Sequence, residues 1–253
     1  MKRGINILLE ENERIDDLEY KGLKIVQNEN GFCFGIDSVL LSDFAKEIKK
    51  DSQVLDLGTG TGIISILLCA KTELKNIIGI EIQKDVYKMA KKSIELNKLQ
   101  NKFTILNEDI REISKKFPAN SFDAIVTNPP YKKENTGLKS EDKIQLISRH
   151  EVMCKLEDIA KNAAILLKNN CSLYMVHRPD RLVDIIPILK KYKLEPKKIR
   201  LVYPKINKEP NLILVKATKG GKEFLRVEKP LIVYNEDGTY TDEILEIYNK
   251  KTE

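Results

Sequence analysis

From residue 53 onward, short apolar runs alternate with stretches whose apolar residues recur at helical spacing. Val54-Leu55-Asp56-Leu57 is the first run, followed after three glycines by a helical stretch over 63–70. Residues 76–81 form the second run, and Val86, Met89, Ala90, Ile94 and Asn97 then recur on one helical face. Further strands are predicted over 103–106, 123–127 and 171–177, with a helix over 156–167 and another starting at Pro179. Residues 199–203 and 212–217 read as a final strand pair. Strands buried on both faces read as continuous apolar runs, so this alternation predicts a parallel sheet covered by helices on each side. Upstream, residues 23–27 and 32–34 flank Asn28-Glu29-Asn30-Gly31 as a hairpin would. Asp37 stands as a helix N-cap ahead of Val39, Leu40, Leu41 and Phe44. The expected organisation is one domain: a hairpin and helix over 1–50, a core over 51–217, and an extension over 218–253 carrying a strand-like 230–234 and a short helix after Thr241.

Composition narrows the class without choosing a function. A hydrophobic fraction of 42% suffices for a core, and a formal charge of +6 permits a polyanionic partner. Cys33, Cys69, Cys154 and Cys171 form no C-x-x-C pair, so no metal site is expected and the thiols are expected reduced. Residues 1–20 carry charges and no signal-like apolar stretch. A soluble, cytoplasmic protein is expected.

The glycine loop Asp56-Leu57-Gly58-Thr59-Gly60-Thr61-Gly62 ends the first strand. Glycines there let backbone approach a ligand, and the following helix N-terminus is electropositive. The spacing Gly58-x-Gly60-x-Gly62 is not the G-x-G-x-x-G of dinucleotide sites. Asp56 would repel a pyrophosphate but suits an ammonium, directly or through water. These two details favour S-adenosylmethionine over NAD. Glu81, ending the second strand, is placed to accept both ribose hydroxyls. Asp109 is placed to accept from an adenine amine with Ile82 and Ile110 bracketing the ring, or to cap a helix.

Asn128-Pro129-Pro130-Tyr131, directly after the fourth strand, carries the chemistry. An exocyclic amine is a poor nucleophile because its lone pair is delocalised into the ring. Two acceptors on its N–H groups draw the nitrogen toward a tetrahedral shape. Asn128 offers a side-chain carbonyl, and Pro129 only a backbone one. The consecutive prolines fix φ and restrict the residues before them, so the acceptors are preorganised. Tyr131 adds a face on which a base can stack, worth about 1–3 kcal/mol. In an open α/β sheet, ligands lie beyond the carboxyl ends of the strands near the switch point, where the glycine loop and Asn128 converge. Neither His150 nor His177 is assigned as a base.

These residues resemble class I S-adenosylmethionine-dependent methyltransferases acting on amino groups, with the 128–131 tetrapeptide as the signature of that branch. Nearly the whole chain also resembles the bacterial tRNA (adenine-N6)-methyltransferases that modify tRNA1(Val) beside the anticodon. The stretches that carry this are 14–18, 32–41, Arg149-His150-Glu151, 176–182 and 230–234 with Tyr240-Thr241. The resemblance implies a Rossmann-like, mostly parallel seven-stranded sheet, N6 methylation of adenosine, and tRNA as partner. It also implies that residues 35–38 close over the methionine end of the cofactor, with Asp37 either a partner of its ammonium or a plain N-cap. Arg149 and His150 follow a polar loop over 132–143, read as a substrate-gated lid or an ordinary surface loop. Arg178, Arg181, Lys197, Lys198, Arg200, Lys205 and Lys208 are candidate phosphate contacts. A glutamine methyltransferase shares the tetrapeptide, since an amide nitrogen poses the same problem; the short segment before the first strand argues against it. An RNA-binding protein without activity is disfavoured by the intact glycine loop, Glu81 and tetrapeptide.

Overall fold

The computed structural model describes residues 7–31, 35–130 and 154–250. Its centre is a nine-stranded sheet in the order β10-β8-β9-β7-β6-β3-β4-β5, with β11 also on β8. The core strands are β3 (Gln53–Leu57), β4 (Asn76–Ile80), β5 (Phe103–Leu106), β6 (Phe122–Thr127) and β7 (Leu167–His177), paired in parallel. β9 (Leu212–Lys219) runs antiparallel to both β7 and β8 (Leu194–Tyr203). Two-residue strands β10 (Arg226–Val227) and β11 (Leu231–Ile232) extend the β8 edge. They raise the count above the expected seven, because the chain after β9 returns along that edge and pairs with it.

Alternation along each strand divides the core. Val54, Ala124, Val126, Tyr174 and Val176 face one layer, formed with helices α1 (Ile36–Phe44), α2 (Ile63–Lys71) and α3 (Lys84–Leu96). Leu55, Leu57, Ile125, Leu173 and Met175 face the other. That second layer is formed by 3₁₀ turn η1 (Ile110–Lys115) and helices α4 (Leu156–Leu166) and α5 (Leu182–Lys191). A further 3₁₀ turn, η2 (Pro179–Arg181), precedes α5, and α6 (Asp242–Ile247) buries Ile244 and Ile247 in the first layer.

Three expectations are corrected. The N-terminal hairpin pairs β2 (Lys24–Asn28) with the upstream β1 (Glu13–Asp17), in the register Ile15↔Val26. Its connection runs through Glu19, Lys21 and Gly22, all at positive φ, and not through the Asn28–Gly31 turn. Segment 32–34 lies outside the described residues. Gly35, not Asp37, is the N-cap of α1, and Asp37 sits within the first turn. β7 and β8 also begin earlier than the apolar runs suggested, at Leu167 and Leu194.

Candidate active site

The strand order reverses at β3, whose neighbours are β4 and β6. Leu57 and Thr127 are register partners, so the glycine loop and Asn128 leave adjacent strands side by side. Thr127 Oγ1 donates to the Leu57 carbonyl at 2.8 Å, closing the seam beneath them. Gly58, Gly60 and Gly62 have φ of 74, 59 and 94°, the left-handed region that side chains resist. The loop is pulled onto β4 as Gly58 N and Thr59 N both donate to the Ile80 carbonyl, at 3.0 and 2.9 Å. Gly79 makes this approach possible, since a Cβ there would lie 2.8 Å from Thr59 Cγ2 and 2.9 Å from Phe103 Cε2. Sequence reasoning missed Gly79; a glycine inside an apolar strand is the signal of close backbone approach.

Asp56 is fully buried. Its Oδ2 accepts from Thr59 Oγ1 at 2.6 Å and Ser65 Oγ at 2.7 Å, while Oδ1 is buried with no hydrogen-bond partner. Burial pushes the carboxyl up to about 6, against the two hydroxyl bonds, and the nearby Glu81 adds to the rise. The folded protein therefore holds this proton more tightly than the unfolded chain, whose ordinary value is 3.8. Stability from this group is highest at low pH and declines as pH rises from about 4 to about 6, by up to about 3 kcal/mol. In urea titrations, the stability difference between Asp56→Asn and the parent should move in the variant's favour across that interval and stay level above it. A difference that does not change with pH would show that Asp56 carries no such penalty.

Glu81 is buried just beyond β4. Its Oε2 accepts from Gly60 N at 3.1 Å and its Oε1 from Gln83 N at 2.8 Å, and burial raises its carboxyl above the usual range. Asn107, also missed from sequence, donates through Nδ2 to the Glu81 and Ile82 carbonyls at 2.8 and 2.9 Å. It fixes the chain between two residues assigned to ribose and adenine. Ile110 lies across the loop from there, its Cδ1 3.7 Å from where a Gly58 Cβ would stand. Asp109 caps η1 by accepting from Arg111 N at 2.8 Å, and the Arg111 side chain holds its carboxyl below the usual range. The structure thus displays the capping alternative for Asp109.

The acceptor side is built by three residues from two elements. Asn128 Nδ2 donates to Asp37 Oδ2 at 3.0 Å and to Ser38 Oγ at 3.2 Å, both in the first turn of α1. Pro129 is buried and Pro130 exposed. Tyr131, Arg149, His150 and the 132–143 loop lie outside the described residues. His177, buried at the end of β7, accepts from Arg178 N through Nδ1 at 2.8 Å, and burial pushes it down to about 4. It is neutral at physiological pH.

Several cations predicted to meet RNA are engaged within the fold. Lys198 pairs with Glu47 at 2.7 Å and Glu228 at 3.5 Å, and Arg200 with Glu243 at 2.6 Å. Both stitch β8 to its surroundings: Glu47 follows α1, and Glu228 and Glu243 belong to the segment after β9. Arg181 pairs with Asp184 at 2.8 Å within one turn. Arg178 is more exposed, beside Asp180 at 3.4 Å.

Among the described residues no group of three or more His, Cys, Asp or Glu side chains could hold a metal, and no helix is long and apolar enough to cross a membrane. The donor set fits S-adenosylmethionine. A buried acceptor lacking a partner, a second buried carboxylate at the neighbouring strand end, and a loop whose glycines admit close approach suit a cation that also bears a ribose.

The fold and site are those of a class I S-adenosylmethionine-dependent methyltransferase. A model of the methyltransferase small domain matches residues 36–183, and the chain belongs to that family. It is 30% identical over 204 residues to the tRNA1(Val) (adenine(37)-N6)-methyltransferase of Porphyromonas gingivalis, covering 79% of each chain. Against the enzyme of the same description from Flavobacterium johnsoniae it is 24% identical over 229 residues, covering 90% of this chain and 96% of the relative. Two solved structures share the fold. One is a predicted O-methyltransferase from Agrobacterium tumefaciens, with TM-score 0.67, 20% identity, and coverage of 84% of this chain and 95% of that one. The other is the tRNA m1G37 methyltransferase of M. jannaschii, with TM-score 0.56, 16% identity, and coverage of 83% and 58%.

Proposed function

We propose that the protein transfers a methyl group from S-adenosylmethionine to the N6 amine of an adenosine in tRNA, the one beside the anticodon of tRNA1(Val). The observation that carries this reading is the Asn128 amide, anchored through Nδ2 at the end of β6 beside the glycine loop. The relatives named above are described as acting at adenine 37 of that tRNA, and they align over most of the chain.

S-adenosylmethionine supplies a methyl group on a sulfonium, which leaves as a neutral thioether. The protein's part is to localise the amine lone pair and align it. Asn128 Oδ1 and the Pro129 carbonyl accept from the two N–H groups, and Tyr131 stacks on the base. The methylated nitrogen, once cationic, sheds its proton to water without a dedicated base. Glu81 takes the ribose hydroxyls, Gly58, Gly60 and Gly62 admit the methionine moiety, and Ile82 and Ile110 bracket the adenine, with Asp109 capping the turn that carries Ile110. The target base must leave its stack, which is cheapest for a loop nucleotide. Arg178 and Lys208 carry phosphate contact in this reading, whereas Lys198, Arg200 and Lys205, whose Nζ donates to the Glu236 carbonyl at 2.9 Å, hold the fold.

Label from methyl-labelled cofactor should appear as N6-methyladenosine in tRNA lacking the modification, not in already modified tRNA or a glutamine-containing release-factor peptide. tRNA affinity should also fall steeply with salt as backbone contacts release counterions. Label confined to the peptide, or binding indifferent to salt, would overturn the proposal.

A further inference from the structure

Asp37 is an expensive residue where it stands. It is a carboxylate only 8% exposed, in the first turn of a helix whose N-cap is already Gly35. Burying a charge is unfavourable unless it is hydrogen-bonded, and the bonds it makes are informative. Oδ1 accepts from Ser38 N at 2.8 Å, which fixes the carboxylate against its own helix turn. Oδ2 accepts from Asn128 Nδ2, across 91 residues of sequence, and Ser38 Oγ shares that donor group. Gly35 leaves room for this arrangement, because a Cβ there would lie 2.9 Å from Asp37 Oδ1.

A carboxylate can only accept, whereas an amide offers two donors at one end and two lone pairs at the other. A side-chain amide in a polar crevice could turn either end to a substrate. The end that donates would meet an amine's N–H groups donor to donor. We infer that Asp37 and Ser38 are positioning residues: they hold Nδ2 and thereby turn Oδ1 of Asn128 to the amine. Their role is to select one of two nearly isosteric orientations of the amide, with the helix N-terminus lowering the cost of the buried carboxylate. This rests on the reading of Asn128 as the amine's acceptor, and it replaces the expectation that Asp37 meets the cofactor's ammonium.

The test is a reversal of the pair. Asn128→Asp keeps an acceptor but sets two carboxylates against each other. Asp37→Asn in the same chain gives the introduced carboxylate a donor again. Turnover at saturating cofactor and tRNA should fall sharply in Asn128→Asp and recover at least about tenfold in the double variant, the value of one charge-assisted hydrogen bond. Asp37→Ala should lower kcat by about tenfold through the same loss, with the cofactor Kd from calorimetry unchanged. Ser38→Ala should lower it less. These two deletions add no charge and keep the test open if the reversed pair does not fold, which thermal melts would reveal. A double variant no better than the product of its single effects would overturn the inference. So would Asp37→Ala weakening cofactor tenfold while sparing kcat, which would return Asp37 to the ammonium. If Asn128→Ala itself leaves turnover intact, the reading of the site fails, and not only this inference.

Discussion

Replacing Asn128 with alanine should cut methyl transfer at saturating substrates on the order of 10²–10³-fold, the loss typical when one preorganised polar contact is removed from a reacting centre. Cofactor affinity should stay within a few-fold. The division follows from where the residue sits. Asn128 stands beyond the end of β6, and its amide is held by α1. The glycine loop is held independently, through Ile80 on β4 and through Asp56 and Glu81. These bonds of the loop do not pass through the Asn128 Nδ2 anchor. Only an interaction made more strongly in the transition state affects kcat in this way, and an amine drawn toward tetrahedral shape gains most from its acceptors as the new bond forms. Single-turnover transfer with labelled cofactor gives the chemical step, and calorimetry with the thioether product gives binding. A variant that loses both to the same degree would show that Asn128 supports the fold of the crevice and not the amine.

Much of this architecture was legible because strands covered on both faces cannot hide their apolar character. β3, β4, β5 and β6 were each read within a residue or two, and β3 and β6 prove to be neighbours, as the reading of the crevice required. What escaped was decided by partners distant in sequence. β1 is Glu-Arg-Ile-Asp-Asp, with Ile15 its one apolar residue, and it is a strand because β2 pairs with it. Asp37 reads as a cap because acids favour helix starts, whereas its partner lies in the loop after β6. Lys198 and Arg200 look like any cations on a basic chain until Glu47, Glu228 and Glu243 are placed around them. Gly79 and Asn107 act only through loops that fold over them. The tetrapeptide could be proposed from sequence because the chemistry it offers is local, with Asn, a blocked backbone donor and two fixed φ angles in four residues.

Glu81→Ala should have the opposite kinetic signature to the asparagine variant. Cofactor binding should weaken by about 10²-fold or more, since a charged acceptor contributes about 1.5–3 kcal/mol to each hydrogen bond it makes. Turnover at saturating cofactor should change by less than about tenfold, because a uniformly made binding contact affects KM and not kcat. Two effects combine in the loss. The ribose would forfeit its acceptor, and Gly60 N and Gln83 N would forfeit theirs, loosening the loop against the end of β4. Glu81→Gln separates them: its one carbonyl oxygen can still accept from Gly60 N or from a ribose hydroxyl but has only half the capacity and no charge, so its affinity should fall between parent and alanine. Loss of this carboxylate also removes a neighbour that raises Asp56, so the pH-dependent part of stability should shrink in Glu81→Ala. If affinity instead survives in the alanine variant while turnover collapses, the carboxylate acts on the reacting groups and the ribose is held elsewhere.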